Sequence, residues 1–242
     1  NLLTGTASTV GGSVSGVENI QGSMFNDTLV GDNNANIINA IGGVDVISGN
    51  GGNDRFIFPA GSFFSGVLAG GAGSDQADFS SQVGVISIVL TAIGTLDGFN
   101  GTINGVAFSD LENVIASTAS GDSLTGMNAA ATWDVGSGTY TSTSRVFTYS
   151  NVENLIGGNA ADTFAFANGV VFNGTIDGGA GNDVLNYAAY TTARNLVLVG
   201  LGSLDGFSGT EASISGGFTN INSYVGSTST SDSLTGRDVD TT

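Results

Sequence analysis

The chain of 242 residues contains no cysteine, no histidine and no lysine, and its only cationic side chains are Arg55, Arg145, Arg194 and Arg237. Without cysteine there is no disulfide and no thiol chemistry, which fits either redox compartment. Without His, Lys or Cys, proton transfer and nucleophilic attack would fall to Asp, Glu, Arg and Tyr, so an enzyme is not expected. Proline occurs once, as Pro59 in FIFPAG (56–61), with no acidic residue beside it. Charged residues make up only 10%, and they are lopsided: 21 acidic against 4 basic, for a net charge of −17. Such a chain is repelled by nucleic acid and by anionic membranes and is matched to cations. The longest apolar stretch, VGVISIVLTAIG (83–94), is too short to span a bilayer, and no N-terminal targeting pattern is visible. Neither a nucleic-acid partner nor membrane insertion is expected.

What the chain has instead is glycine, 40 residues of it, beside 14 Phe and an apolar fraction of 40%. That apolar fraction is ordinary for a folded protein, so the glycine does not indicate disorder. The order in which these residues come is repetitive on two scales. Residues 22–57 read as four tandem nonapeptides, GSMFNDTLV, GDNNANIIN, AIGGVDVIS and GNGGNDRFI. Their sixth positions are Asp27, Asn36, Asp45 and Asp54, and their eighth positions are Leu29, Ile38, Ile47 and Phe56. A longer repeat lies over these: GGAGSD (70–75) returns as GGAGND (178–183) and IGTLDGFNGT (93–102) as LGSLDGFSGT (201–210), both at an offset of 108. GDSLTG (121–126) returns as SDSLTG (231–236) at 110. GVENIQ (16–21) matches NVENLI (151–156) at 135, which exceeds 108 by 27 residues, three whole nonapeptides. Self-similarity at fixed period marks stacked architectures in which each unit buries its apolar face against its neighbours.

Runs such as DTLVG, DVISG, RFIFP, VISIVL, RVFTYS and RNLVLVG alternate apolar and polar residues, are rich in Val, Ile, Phe and Thr, and end at Gly, Asn, Asp or Ser. They predict short strands. No segment shows a helical period, and glycine in a helix costs about 1 kcal/mol per residue. The expected fold is all-β, a right-handed parallel β-helix or β-roll solenoid. An antiparallel sandwich is the structural rival, but it has no reason to carry a nine-residue tandem repeat. The repeats divide the chain into leading coils (1–48), one repeat unit (49–156) and a second, incomplete unit (157–242). Two nonapeptides make an 18-residue coil, on which Asp27 would stack with Asp45 and Asn36 with Asp54. The 21-residue spacings from Asp54 to Asp75 and from Asp162 to Asp183 allow stacking if three extra residues bulge out.

The nonapeptides resemble the hemolysin-type (repeats-in-toxin) calcium-binding family, whose consensus is G-G-x-G-x-D-x-U-x with U a large apolar residue. GGAGNDVLN (178–186) fits it fully, GGAGSDQAD (70–78) has the small Ala77 at the apolar place, and GNGGNDRFI and AIGGVDVIS lack one or both opening glycines. Strong resemblance of the nonapeptides covers about a fifth of the chain, and flanking segments such as VENIQGSMFNDTLVG (17–31) resemble those that link such repeats. It implies that each first six residues form a turn and each last three a strand, with Ca2+ held between stacked turns by sixth-position side chains and backbone carbonyls. The candidate metal ligands are then Asp27, Asn36, Asp45, Asp54, Asp75, Asp162 and Asp183. Calcium takes six to eight oxygen ligands, and glycine turns let carbonyls point inward. The same residues could instead cap their own backbone with no metal. Glu18, Glu112 and Glu153, each before Asn, and Asp97 and Asp205, in the twin LDGF turns, are more economically read as turn formers, and Trp133 as a core residue.

Three functions compete. The first is a structural or adhesive segment of a long extracellular or cell-surface repeat protein, a rod, fibre or surface layer, partnered by itself end to end or laterally and by cell-surface glycans. The second is a calcium-dependent folding and secretion module of a larger secreted toxin or hydrolase. The third is a β-helix polysaccharide-active enzyme. The interleaved, degenerate nonapeptides favour the first over the second. The sequence starts in a strand-like run, NLLTGTA, and RDVDTT (237–242) lies where MNAAAT (127–132) precedes Trp133 one unit earlier. The expectation is an excerpt that continues with an aromatic and a further unit.

Overall fold

The computed structural model describes the backbone of residues 6–7 and 10–13 and the whole of residues 17–62 and 64–237. The NLLTGTA run and most of RDVDTT lie outside the described residues. Every regular element among the described residues is a strand, most of them three to seven residues long. The chain divides into two compact units, Asn1–Asp122 with Arg145–Asn151, and Ser123–Ser144 with Val152–Thr242.

In the first unit, one ladder of parallel strands runs Asn19–Gln21, Ile37–Asn39, Arg55–Ile57, Gln76–Asp78, Asn113–Ile115, Arg145–Ser150. A second runs Thr28–Val30, Asp45–Gly51, Gly66–Ala72, Val106–Leu111. Asn19 pairs with Ile37 and Ile37 with Arg55, each 18 residues on, while Arg55 pairs with Gln76 and Asp45 with Gly66, each 21 on. The strands Thr28–Val30, Ile37–Asn39, Arg55–Ile57 and Gln76–Asp78 occupy the last three places of their nonapeptides. The three extra residues of the 21-residue spacing fall between Phe58 and Gly66, where the Ser62 N–H closes a tight turn on the Pro59 carbonyl.

The second unit has the same plan. One parallel ladder runs Ser123–Thr125, Asn154–Ile156, Thr175–Asp177, Ile214–Ile221. The other runs Ala131–Asp134, Asp162–Ala165, Val184–Asn186, Ser223–Val225. Each unit also carries an antiparallel three-strand meander that the repeat arithmetic does not announce. Ser87–Ile93, Phe99–Ile103 and Val106–Leu111 form it in the first unit, and Asn195–Leu201, Phe207–Glu211 and Ile214–Ile221 form it in the second. Even the irregularity recurs, between Leu90 and Ala92 and again between Leu198 and Gly200.

The period-2 alternation of the strands turns one residue of each triplet inward. Ile38, Ile47, Phe56, Leu68, Ala77 and Val114 in the first unit are buried, as are Leu124, Leu155, Phe164, Ile176 and Leu185 in the second. A large apolar side chain contributes about 1.5–3 kcal/mol when fully buried, so this column of eighth-position residues is the main source of cohesion. Aromatic rings extend it: Phe58 stacks on Phe79 with centroids 4.5 Å apart, and Trp133 stacks on Phe164 at 5.5 Å and meets Tyr140 edge-on at 4.6 Å.

Candidate functional site

The sixth-position side chains are the polar counterpart of this apolar column, and the structure brings them together in the pairs the spacing predicts. The backbone N–H of Asp27 donates to Oδ1 of Asp45 at 2.9 Å, and that of Asn36 to Oδ1 of Asp54 at 2.7 Å. The Asp54 N–H donates to Oδ1 of Asp75 at 2.8 Å, and the Asp162 N–H to Oδ1 of Asp183 at 2.8 Å. Each side chain therefore accepts the amide of its counterpart one parallel strand back. Where the opening residues of the turn allow it, the same side chain also closes its own turn. Ser23 N–H donates to Asp27 Oδ2 at 2.7 Å, Asp32 N–H to Asn36 Oδ1 at 2.8 Å and Gly158 N–H to Asp162 Oδ2 at 2.9 Å.

The ladder extends past the nonapeptides, through residues that sequence reasoning left out of the site. Asp75 N–H donates to Glu112 Oε2 at 2.6 Å, and Asp183 N–H to Asn222 Oδ1 at 3.0 Å. Asp122 accepts Ile86 N–H and Ser117 N–H, both at 2.7 Å. Its counterpart Asp232 accepts Arg194 N–H at 2.7 Å and Ser227 N–H at 2.6 Å. The signal that could have found these is the D-S-L-T run, Asp followed at the second place by a large apolar residue, and the E/N that precedes each third-strand triplet. Asp97 and Asp205 hold turn amides too, from Gly73 at 2.8 Å and Gly181 at 3.0 Å.

At Gly49, the first place of its nonapeptide, this closure leaves no room for a side chain. A Cβ on Gly49 would lie 2.0 Å from Asp54 Oδ2 and 2.4 Å from the Gly70 carbonyl oxygen. The turn thus sets a carboxylate against a neighbouring carbonyl with no room for a methyl group between them.

Burial makes these carboxylates weak acids. Asp54, Asp162 and Asp183 are pushed up to about 6 by desolvation, against the pull of the N–H groups they accept. Asp75 rises to about 7, burial again leading and the charges of Asp54, Asp97 and Asp110 adding to it. Asp45 is raised by burial as well. Glu112 goes furthest, to about 8, through burial and then the charges of Asp75 and Asp97. Its Oε1 and Asp97 Oδ1 are both buried without a donor. The second unit resolves the same contact differently. Asn222 stands in the place of Glu112, and its Nδ2 donates to Asp205 Oδ1 at 3.3 Å while its Oδ1 takes the Asp183 amide.

One oxygen of each of Asp54, Asp75, Asp162 and Asp183 has no hydrogen-bond partner despite being buried. Among the described residues no three acidic side chains converge closely enough to form a metal cage on their own. The donor set is one carboxylate per turn together with backbone carbonyls such as that of Gly70 beside Asp54 and of Gly178 near the turn of Asp162. That is oxygen chemistry suited in kind to Ca2+.

A second polar cluster belongs to the second unit alone. Arg194 lies 3.3 Å from Glu211 and 4.5 Å from the centroid of the Tyr190 ring. Ser213 bridges Glu211 to Tyr187 through its N–H, 2.7 Å from Glu211, and its hydroxyl, 2.9 Å from the Tyr187 OH. At an offset of 108 the first unit has Ile86, Ile103 and Phe79 in these places, so the ion pair is an inserted feature of one repeat and no part of the shared plan. Comparison with protein-family models, with curated proteins and with solved structures gives no match.

Proposed function

We propose that the chain is a structural or adhesive segment of a long extracellular repeat protein, a rod, fibre or surface layer built as a right-handed parallel β-roll or β-helix solenoid. The observation that carries this reading is the carboxylate-to-amide ladder. Asp45, Asp54, Asp75 and Asp183 each accept the amide of the sixth-position residue one parallel strand back, in both units and at both the 18- and the 21-residue spacing. Such a device is indifferent to how many turns precede or follow, so length can change by whole nonapeptides, as the 27-residue difference between the two sequence offsets indicates. The net charge of −17 suits a solvated extracellular array.

Calcium is part of this proposal. Asp54, Asp75, Asp162 and Asp183, with the neighbouring glycine carbonyls, would hold it, and its charge would relieve carboxylates that burial otherwise drives to protonate. Glycan contacts, if the surface is adhesive, would fall to the open groove of about 590 Å³ in the second unit that is lined by Ser123, Asn154, Thr175, Asp177, Thr210 and Thr219. Small-angle scattering from the monomer tests the solenoid. A globule of this length has a radius of gyration of about 18 Å and hence a diameter of about 45 Å. The reading predicts a skewed pair-distance distribution with a tail well beyond that diameter; a symmetric distribution ending there contradicts it.

A further inference from the structure

The two units differ at one place on the exposed face of a ladder, and there they differ in several ways at once. In the first unit Val46 and Val67 pair on neighbouring strands and are 51% and 49% exposed. At an offset of 108 the second unit has Asn154 and Thr175 in these places, and Asp177 in that of Ala69. Asn154 and Thr175 pair in the same register, and the Thr175 hydroxyl donates to Asn154 Oδ1 at 2.6 Å. An amide, a hydroxyl and a carboxylate thus stand where the first unit has three apolar side chains.

The two residues by which the second unit is longer fall beside them. In the first meander Gly101 pairs with Phe108 and Ile103 with Val106. In the second, Gly209 pairs with Phe218 and Glu211 with Ile214, so two further residues bulge between Ile214 and Phe218. Gly216 and Gly217 lie in this bulge, and the Gly216 N–H anchors it on the Gly174 carbonyl at 2.8 Å. A Cβ on Gly216 would lie 2.5 Å from Thr175 Cγ2. Gly217 has a φ of +76°, and its Cβ would lie 2.7 Å from the Gly209 carbonyl oxygen and 3.7 Å from Thr210 Cγ2. A stretch of bare backbone therefore lies between Thr175 and Thr210, and it forms the floor of the groove of about 590 Å³. Bulges re-aim side chains beside sites, and glycine within a strand lets a ligand approach the backbone closely.

The lining selects the ligand. Asn154–Ile156, Thr175–Asp177 and Ile214–Ile221 each have a paired strand on both sides, so a peptide finds no free edge to join. Phe218 is 5% exposed and offers no ring face for a nucleobase to stack on. Among the described residues no arginine lines the groove, and the net charge of −17 repels anions. The polar lining is the hydroxyls of Ser123, Thr175, Thr210 and Thr219 with the Asn154 amide and the Asp177 carboxylate. Asp177 is held in place through Oδ1, which accepts the Gly179 N–H at 2.9 Å and Asn220 Nδ2 at 2.6 Å. Val199, 63% exposed, adds an apolar wall. Hydroxyls, an amide and an oriented carboxylate beside an apolar wall match a molecule that is dense in hydroxyl groups on one face and has C–H groups on the other.

We propose that this groove binds an uncharged hexose chain, with Asn154, Thr175 and Asp177 taking sugar hydroxyls and one ring lying over Gly216 and Gly217 against Val199. The inference rests on the adhesive reading and deepens it, since it makes the second unit the binding repeat. Titration calorimetry tests it with maltohexaose, cellohexaose and mannohexaose, beside hexagalacturonate and a chitosan hexamer. A neutral hexaose should bind and the two charged chains should not. Asn154→Val with Thr175→Val installs the first unit's own residues on paired strands, so the fold should persist by its melting midpoint. Loss of two hydrogen-bonding groups should weaken the binding about tenfold or more. The mirror exchange in the first unit, Val46→Asn with Val67→Thr, should leave the affinity unchanged. Binding confined to a charged chain, or neutral binding that the double valine variant retains, would overturn the groove; the second outcome leaves the adhesive reading standing. No binding to any of these chains would overturn the groove and the glycan part of that reading together, while scattering decides the solenoid separately.

Discussion

Asp75 has two tasks that its neighbours in the repeat perform with different atoms. It accepts the Asp54 amide and it carries a charge, and Asn222, which takes the Asp183 amide, shows that the first task needs only a side-chain oxygen. Asp75→Asn should therefore keep the fold at neutral pH, whereas Asp75→Ala leaves the buried Asp54 N–H without an acceptor and should cost about 1–3 kcal/mol. Urea unfolding of the two variants checks the contrast; equal losses would show that the charge, and not the hydrogen bond, matters. Glu112 offers the complementary case. Its Oε1 faces Asp97 without a donor, while Asn222 donates to Asp205 in the second unit. Glu112→Gln supplies that donor and should stabilise the protein by about 1–2 kcal/mol at about pH 9, above the raised value of about 8, where most of the native carboxyl is charged. Gly98 leaves no latitude beside it: its φ is +49° and a Cβ would lie 2.0 Å from Glu112 Oε1, so Gly98→Ala should unfold this corner.

At the scale of the strands, a triplet is too short to be stable by itself, and the eighth-position column holds each to the next. Trp133 is the largest member, buried at 0% exposure against Phe164 and Tyr140. Trp133→Ala should cost about 3–5 kcal/mol, read as a fall in the denaturation midpoint; a change near zero would mean that the stack can collapse around the loss. Much of this level was legible in the sequence. The nonapeptide phase placed the triplets Thr28–Val30, Ile37–Asn39 and Arg55–Ile57, and the 18- and 21-residue spacings paired the correct sixth-position residues, because a parallel register is inherited from repeat length. The meanders were not legible. Ser87–Ile93, Phe99–Ile103 and Val106–Leu111 alternate like any strands, and nothing in a period-2 pattern distinguishes antiparallel from parallel neighbours. That insertion separates Gln76–Asp78 from its parallel neighbour Asn113–Ile115 by 37 residues, which carried Glu112 out of the nonapeptide phase and hid its place in the ladder.

Over the whole molecule the carboxylates that burial raises give a pH dependence opposite to ordinary acid unfolding, which the lowered Asp78 offsets in part. The folded values, about 6 for Asp54, Asp162 and Asp183, about 7 for Asp75 and about 8 for Glu112, lie above the ordinary carboxylate values of 3.8 and 4.5. The folded state therefore binds these protons more tightly than the unfolded chain does. Their stabilisation is complete below about pH 4 and is lost as the pH rises through 6 to 8. Without divalent ions the protein should be more stable at pH 5 than at pH 8, by an amount on the order of a few kcal/mol. Thermal melts at the two pH values in excess chelator read this directly, and a higher midpoint at pH 8 would contradict it. Under the calcium proposal, adding Ca2+ at pH 8 restores the loss by binding the folded state alone, with a gain that grows as RT ln(1 + [Ca]/Kd). Identical midpoints in calcium and in chelator would leave the turns closed by hydrogen bonds only.

Amide hydrogen exchange bears most directly on the claim that sixth-position side chains tie successive turns together. The backbone N–H groups of Asn36, Asp54 and Asp162 donate to carboxylates one parallel strand away, and that of Asp183 to an amide oxygen. All four residues are buried. Residue-resolved exchange should show these four turn amides protected to the level of the strand amides of Ile38, Phe56 and Leu185, far beyond the neighbouring amides of the same turns. If they exchange as fast as the exposed turn residues beside them, the ladder does not hold the turns, and the account built on it is wrong.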